Sequence, residues 1–497
     1  MVQMKQCTIG IDIGTAAVKG LLVDTAGTVV SMASTPLRIS TPRPGWMEED
    51  PEDWWKATVE VCEQLTIDRN VEILTISVSG QMHTLVPLDA AGTVVRPAIL
   101  WSDLRAAGEC QELTDVLGGE EQTLARVGNP VMPEFTAPKF LWLEHHEPEL
   151  VQRIARVCMP KDYVVLRLTG RFVSEPSDAS GTLFYRVPGG GWDQQVLDAA
   201  GVETSMLPEI VDTGSIVGAV ICSELPRLRG IPVVAGGADN AVASLGCGVQ
   251  QAGDAVIKLG TRGTIVAATE VPQPDPAGRL CLFNLSAKSR YYHMAVVPTA
   301  CGALSWFQER FARELSHGHI DELVAQSPVG SNGVVFLPSL AGDRTPHRNP
   351  DATGVLYGMR LSNSQGDVLR AVHEGVAFAL RQAAEAVVET GTELANVRII
   401  GGGSRSRVWC QMLADCLGLP LWSPLVDEGA SYGSARLAAA AAGIDTSGWV
   451  KVVERYIPDP SATEAFEPCY EKYKALYDSL KPMFNSRPQV VLSALSR

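Results

Sequence analysis

The sequence predicts an α/β protein made of two large domains with similar cores. Three observations carry that expectation. The chain has 497 residues, more than one ordinary hydrophobic core accommodates. Short β-branched runs that end at glycine turns alternate with stretches of helical spacing. The pattern Ile11-Asp-Ile-Gly-Thr15 returns as Ile257-Lys-Leu-Gly-Thr261 about half a chain later, an interval too long for a solenoid.

Cys7 to Ile13 is apolar and predicts a strand, Gly14-Thr15 a turn, and Ala17 to Val23 a returning strand. Asp24 to Gly27 predicts a hairpin turn and Thr28 to Met32 a third strand. Asp53 to Gln64 has helical spacing, with Pro51 just before it. Val71 to Val78 predicts a strand that ends at Ser79-Gly80. The pattern resets at Ile231 to Ala235, a short buried strand followed by a turn at Gly236-Gly237 and a helix opening at Asp239. Gly246 to Gly253 reads as a hinge. In the second half, a long helix is expected over Gly366 to Thr390 and a strand over Val397 to Ile400. Gly401-Gly402-Gly403 and a helix from Arg407 to Leu417 follow, and the end of the chain reads as helical.

Composition narrows the function classes. A net charge of -15 argues against a nucleic-acid binder, since phosphate backbones need a basic face. The apolar stretch Leu437 to Ile444 is too short to span a bilayer and reads as a buried Ala-rich helix. The N-terminus enters a strand quickly, unlike a secretory signal. The 11 cysteines show no CxxC or metal-ligand spacing, which suits buried thiols in a reducing, cytoplasmic setting. His145/His146 and His317/His319 lie among polar residues and read as surface side chains.

The chemistry is expected at the glycine loops. A Gly-Thr hairpin turn frees backbone N–H groups to face an anion, and Thr adds a hydroxyl. Two such loops, Gly14-Thr15 and Gly260-Thr261, suit one triphosphate held between them. The triple glycine at 401 to 403, between a strand and a helix, suits close approach of a nucleotide. Neither a Walker-type P-loop nor a Rossmann fingerprint opens the first unit. Asp12, just before the first loop, either caps the turn or holds Mg²⁺ through water. Spacing leaves two readings for Asp239 as well: a helix cap, or a group that takes the proton of an attacking hydroxyl in a phosphoryl transfer.

Taken in order, further motifs resemble one family. Ile9-Gly-Ile-Asp-Ile-Gly-Thr15, Pro44-Gly-Trp-Met-Glu-Glu-Asp-Pro51, Ser79-Gly-Gln-Met-His83, Ile99-Leu-Trp-Ser-Asp-Leu-Arg105, Ser177-Asp-Ala-Ser-Gly181, Ala235-Gly-Gly-Ala-Asp-Asn240, Asp343-Arg-Thr-Pro-His347 and Gly401-Gly-Gly-Ser-Arg-Ser406 are similar to those of the FGGY carbohydrate kinases. The resemblance runs over nearly the whole chain. It implies two ribonuclease H-like domains of the actin-like ATPase type with an active-site cleft between them. The implied division is 1–247 for sugar and base, 248–445 for nucleotide, and 446–497 as a helical appendage. It further implies ATP and Mg²⁺ as cofactors, a small sugar as substrate, and a homodimer as an allowed assembly, with no nucleic-acid or membrane partner.

By the same resemblance, Asp239 is the catalytic base and Asp12 the acid near metal and phosphates. Met82, His83 and Asn240 line the sugar site, and Gly260, Thr261, Gly302, Gly402, Gly403 and Arg407 map to the nucleotide side. Met82-His83 and Arg344-Thr-Pro-His347 look most like the xylulose-phosphorylating members. Ribulose, arabitol, gluconate and glycerol are the neighbouring substrates. A sugar or nucleotide sensor and an actin-like filament or chaperone ATPase are the readings from other classes. At the second loop the chain departs from the family pattern, with Lys258 and Arg262 where small residues are expected. Either both cations point away from the cleft, or Arg262, inside the loop, contacts the ATP phosphates or partly fills their site. Glu134 also stands where a small residue is expected.

Overall fold

The computed structural model describes residues 4–67, 70–286, 290–426 and 428–484. The expectation of a loosely ordered tail at Arg487 to Arg497 lies outside the described residues. Two compact units divide the chain. The first holds residues 1–252, 268–293 and 425–451, and the second holds 253–267, 294–424 and 452–497.

The sheet of the first unit has six strands in the spatial order Ile216–Ala219, Pro232–Ala238, Val71–Gly80, Lys5–Ile13, Ala17–Asp24 and Val29–Pro36. The last three form an antiparallel meander, and Val71–Gly80 and Pro232–Ala238 extend it in parallel. This is the order a ribonuclease H-like domain has. Strands buried on both faces need apolar, β-branched residues throughout, and Cys7, Ile9, Ile11 and Ile13 are all buried. Helix Pro51–Leu65 starts where Asp50 accepts from the Glu52 amide and proline occupies the first turn. It buries Trp54, Val61 and Leu65, each contributing about 1.5–3 kcal/mol.

Helix Gly429–Ala441 packs on Lys5–Ile13 and on helix Asp239–Gly246. A Cβ on Gly433 would lie 1.9 Å from the Val242 carbonyl, so only glycine admits this crossing. The expected turn at Gly236-Gly237 is not a turn: both residues continue the strand Pro232–Ala238. A bulge in its pairing with Val71–Gly80 falls between Ala235 and Gly237. A Cβ on Gly236 would sit 1.9 Å from the Val78 carbonyl, so glycine here permits strand contact rather than chain reversal.

The second large sheet repeats the order. Six of its strands run Tyr291–Val297, Gly263–Thr269, Gly253–Leu259, Leu394–Ile400, Leu421–Pro424 and Val452–Tyr456. Gly253–Leu259 pairs antiparallel with Gly263–Thr269 and parallel with Leu394–Ile400. Val452–Tyr456 is a strand where the sequence reads as helical tail, because it pairs with Leu421–Pro424 at the sheet edge. Helix Gln365–Glu389 begins with a Ser364/Asp367 capping box. Phe378 on it packs against Phe466, Tyr470 and Tyr473 of helix Pro460–Phe484. Among the described residues, no helix is long and apolar enough to cross a membrane.

Candidate active site

In the first unit the side chains expected at the site lie at or beside the ends of adjacent strands. Asp12 closes Lys5–Ile13, and the hairpin turn follows, with Gly14 N–H donating to the Ala17 carbonyl at 3.1 Å. Asp12 lies opposite Ser79 of the parallel neighbour, whose hydroxyl donates to Asp12 Oδ1 at 3.0 Å. Thr15 Oγ1 donates to Gln81 Oε1 at 3.0 Å and accepts from Trp101 Nε1 at 2.9 Å. Gln81 Nε2 in turn donates to Glu49 Oε2 at 3.1 Å, an oxygen that also accepts from Trp54 Nε1 at 2.7 Å. Burial pushes the Glu49 carboxyl up to about 7.

Met82 and His83 follow the Val71–Gly80 strand, and both are buried. His83 takes a left-handed backbone conformation, φ +68°. Its carbonyl accepts from Lys139 Nζ at 2.9 Å and Thr136 Oγ1 at 3.2 Å, which holds this strained geometry in place. Burial pulls the Lys139 ammonium down to about 7. His83 Nδ1 lies 2.6 Å from the Gly181 carbonyl. A carbonyl only accepts, so Nδ1 carries a hydrogen, which leaves Nε2 as the acceptor when the ring is neutral. The imidazole packs edge-on to Phe135 at 4.8 Å.

Asp239 opens helix Asp239–Gly246, at the positive end of the helix dipole. Its Oδ1 accepts from Asn240 N at 2.7 Å and Asn240 Nδ2 at 3.2 Å. Asn240 Nδ2 also reaches Met82 Sδ at 3.6 Å, and the buried Tyr292 hydroxyl meets the same sulfur at 3.8 Å. Met82 of one motif thus meets Asn240, and through it Asp239, of another, and His83 follows Met82 in the chain.

In the second unit the loop Gly260-Thr261-Arg262 packs on the start of helix Cys301–Phe311. Cys301 N–H donates to the Gly260 carbonyl at 2.9 Å, and Gly302 N–H to the Thr261 carbonyl at 3.1 Å. Gly402 faces open space, whereas a Cβ on Gly403 would come within 2.5 Å of Leu259 and 2.8 Å of Cys301 Sγ. Lys258, Thr261 and Arg262 are exposed. Arg407 is exposed at the start of helix Arg407–Leu417 and pairs with Glu454. Glu134 offers its backbone carbonyl to Lys139 Nζ.

Sequence reading gave no role to Glu49, Ser79, Gln81, Trp101 and Tyr292. Most lie inside or beside the resembling motifs, so the motif edges were the available signal. Tyr292 carried none.

Residues 7–246 match the N-terminal domain, and residues 255–442 the C-terminal domain, of the FGGY family of carbohydrate kinases. The chain is 37% identical over 488 residues to a xylulose kinase of Escherichia coli, covering 96% of this chain and 99% of the relative. It is 35% identical to a xylulose kinase of Bacillus subtilis, covering 96% of each. A solved xylulose kinase from Rhodospirillum rubrum is 33% identical with a TM-score of 0.90, covering 96% of this chain and 99% of that one. This chain belongs to the FGGY family of carbohydrate kinases, phosphotransferases with an alcohol group as acceptor.

Proposed function

We infer that this kinase transfers the γ-phosphate of ATP to a hydroxyl of D-xylulose, giving D-xylulose 5-phosphate and ADP. The observation that carries the reading is the apposition of Met82, Asp239 and Asn240, with His83 next to Met82 in the chain, together with relatives named xylulose kinase on either side of one-third identity. Asp239 accepts the proton of the attacking hydroxyl. The transition state of such a transfer is loose, so a carboxylate of ordinary basicity that accepts the proton late is adequate. His83 Nε2 accepts from a sugar hydroxyl, and Met82 shapes the pocket wall. Asn240 holds the base through its backbone N–H and side-chain amide.

On the nucleotide side, Gly14, Thr15, Gly260, Thr261, Gly302, Gly402, Gly403 and Arg407 are the proposed ATP residues, and Arg262 the proposed phosphate contact. Thr15 contributes through its backbone N–H, because its hydroxyl proton goes to Gln81. Mg²⁺ fits the residues present. Among the described residues no group of three or more His, Cys, Asp or Glu side chains forms a cage, whereas a single half-buried carboxylate, Asp12, suits an ion that keeps most of its water. When bound, the ion neutralises charge on the phosphates. Eleven free thiols support a cytoplasmic location.

ADP release measured across D-xylulose, ribulose, arabitol, gluconate and glycerol tests the assignment. D-xylulose is expected to give the highest kcat/KM. A higher value for another acceptor reassigns the substrate, and a flat response makes the protein a binding module.

A further inference from the structure

One resembling motif, Ser177-Asp-Ala-Ser-Gly181, has no role in the chemistry above, yet it touches both arms of the sugar site. At its start, the buried Ser177 hydroxyl accepts from Ala238 N–H at 3.0 Å, the amide directly before Asp239. The same hydroxyl donates to Glu175 Oε1 at 2.7 Å. Glu175 also accepts from Ser177 N at 2.9 Å, Asp178 N at 2.8 Å and Thr213 Oγ1 at 2.6 Å. Four donors converge on this buried carboxylate, so the direction of the Ser177 hydroxyl is fixed: its proton points to Glu175 and its lone pair to Ala238. A Cβ on Gly237 would lie 2.8 Å from Ser177 Oγ, so the strand before Asp239 is pressed onto this residue.

At the other end, the Gly181 carbonyl sets the His83 tautomer through Nδ1 at 2.6 Å. A Cβ on Gly181 would come within 3.2 Å of both His83 Nδ1 and Met82 Cε. The two ends are tied to each other, because Ser180 Oγ donates to the Ser177 carbonyl at 2.7 Å.

We propose that Glu175–Gly181 is a positioning element that locks the sugar-reading His83 and the base Asp239 in mutual register, with Ser177 and Glu175 as its positioning residues. Neither residue touches the substrate. Ser177 acts on the base through the Ala238 amide, and Glu175 acts by orienting Ser177. The proposal rests on the reading of Asp239 as the base.

Steady-state kinetics of Ser177→Ala, Asp239→Asn and the double variant test it. Ser177→Ala is expected to lower kcat about tenfold, as displacement of a reacting group does, with both KM values within about twofold. Added to Asp239→Asn, it is expected to change the residual rate by less than about twofold, since its effect passes through the base. An unchanged kcat in Ser177→Ala, or a full additional loss in the double variant, overturns the proposal. Full activity in Asp239→Asn alone overturns the base assignment instead, so the two failures are distinguishable. Nitrogen chemical shifts of His83 in the unmodified protein give a readout that requires no variant to fold. They are expected to report the Nδ1–H tautomer, and an Nε2–H tautomer contradicts the element's hold on His83.

Discussion

At the end of the first hairpin strand stands Asp12, opposite Ser79 and bonded to it. At the matching place in the second hairpin stands Lys258, opposite Ile400 and exposed. The turns that follow differ in the same way. Thr15 is wired inward through Gln81 to Glu49, whereas Thr261 and Arg262 face solvent. The strand order around both hairpins is shared. A duplicated sheet therefore supplies one frame twice, and the side chains at the strand ends decide what each copy does. The first copy carries a carboxylate bonded to Ser79 beside a turn whose threonine joins a hydrogen-bonded chain. The second carries two exposed cations, Lys258 and Arg262, and cations suit phosphates.

If the first loop is the preorganised one, it tolerates least. Asp12→Asn keeps an acceptor for Ser79 and removes the charge. It is expected to lower kcat by about 10²–10³, the scale of losing one electrostatic stabiliser. A kcat within about threefold of the unmodified enzyme removes the functional distinction between the loops. Arg262→Ser tests the other side. A charge-assisted contact of about 1.5–3 kcal/mol predicts a rise of about tenfold or more in the KM for ATP, with the sugar KM unchanged. A change under about twofold makes the second loop's cations surface charges only.

A further prediction concerns stability rather than rate. Burial raises the Glu49 carboxyl to about 7, so the folded state binds its proton more tightly than the unfolded chain does. The stability this contributes is fully present below about pH 4.5 and lost as pH rises through about 7, by up to about 3 kcal/mol. Thermal denaturation of Glu49→Gln is therefore expected to gain on the unmodified protein between pH 5 and pH 8. Parallel profiles would show that Glu49 does not titrate in this range.

The reading of the fold from sequence worked where the signal is local. The Gly-Thr hairpins, the repeat between them and helix Arg407–Leu417 each announce themselves through residues close in the chain. Gly236-Gly237 misled because a glycine pair signals a turn, whereas here it answers a need set by Val78, more than 150 residues earlier. Val452–Tyr456 was missed because its partner strand, not its own pattern, makes it a strand. The candidate site divides the same way. Asp12 and Asp239 stood out as acids beside glycines, with two readings each, and His83 entered only through the family motif. Ser177 and Tyr292 reach the candidate site through Ala238 and Met82, contacts that no spacing rule encodes.

The most direct test replaces Asp239 with Asn in protein whose fold and sugar affinity are first verified. Loss of general-base help predicts a kcat lower by about 10²–10⁴ with sugar affinity retained. Xylulose phosphorylation at a rate within about threefold of the unmodified enzyme would contradict the account.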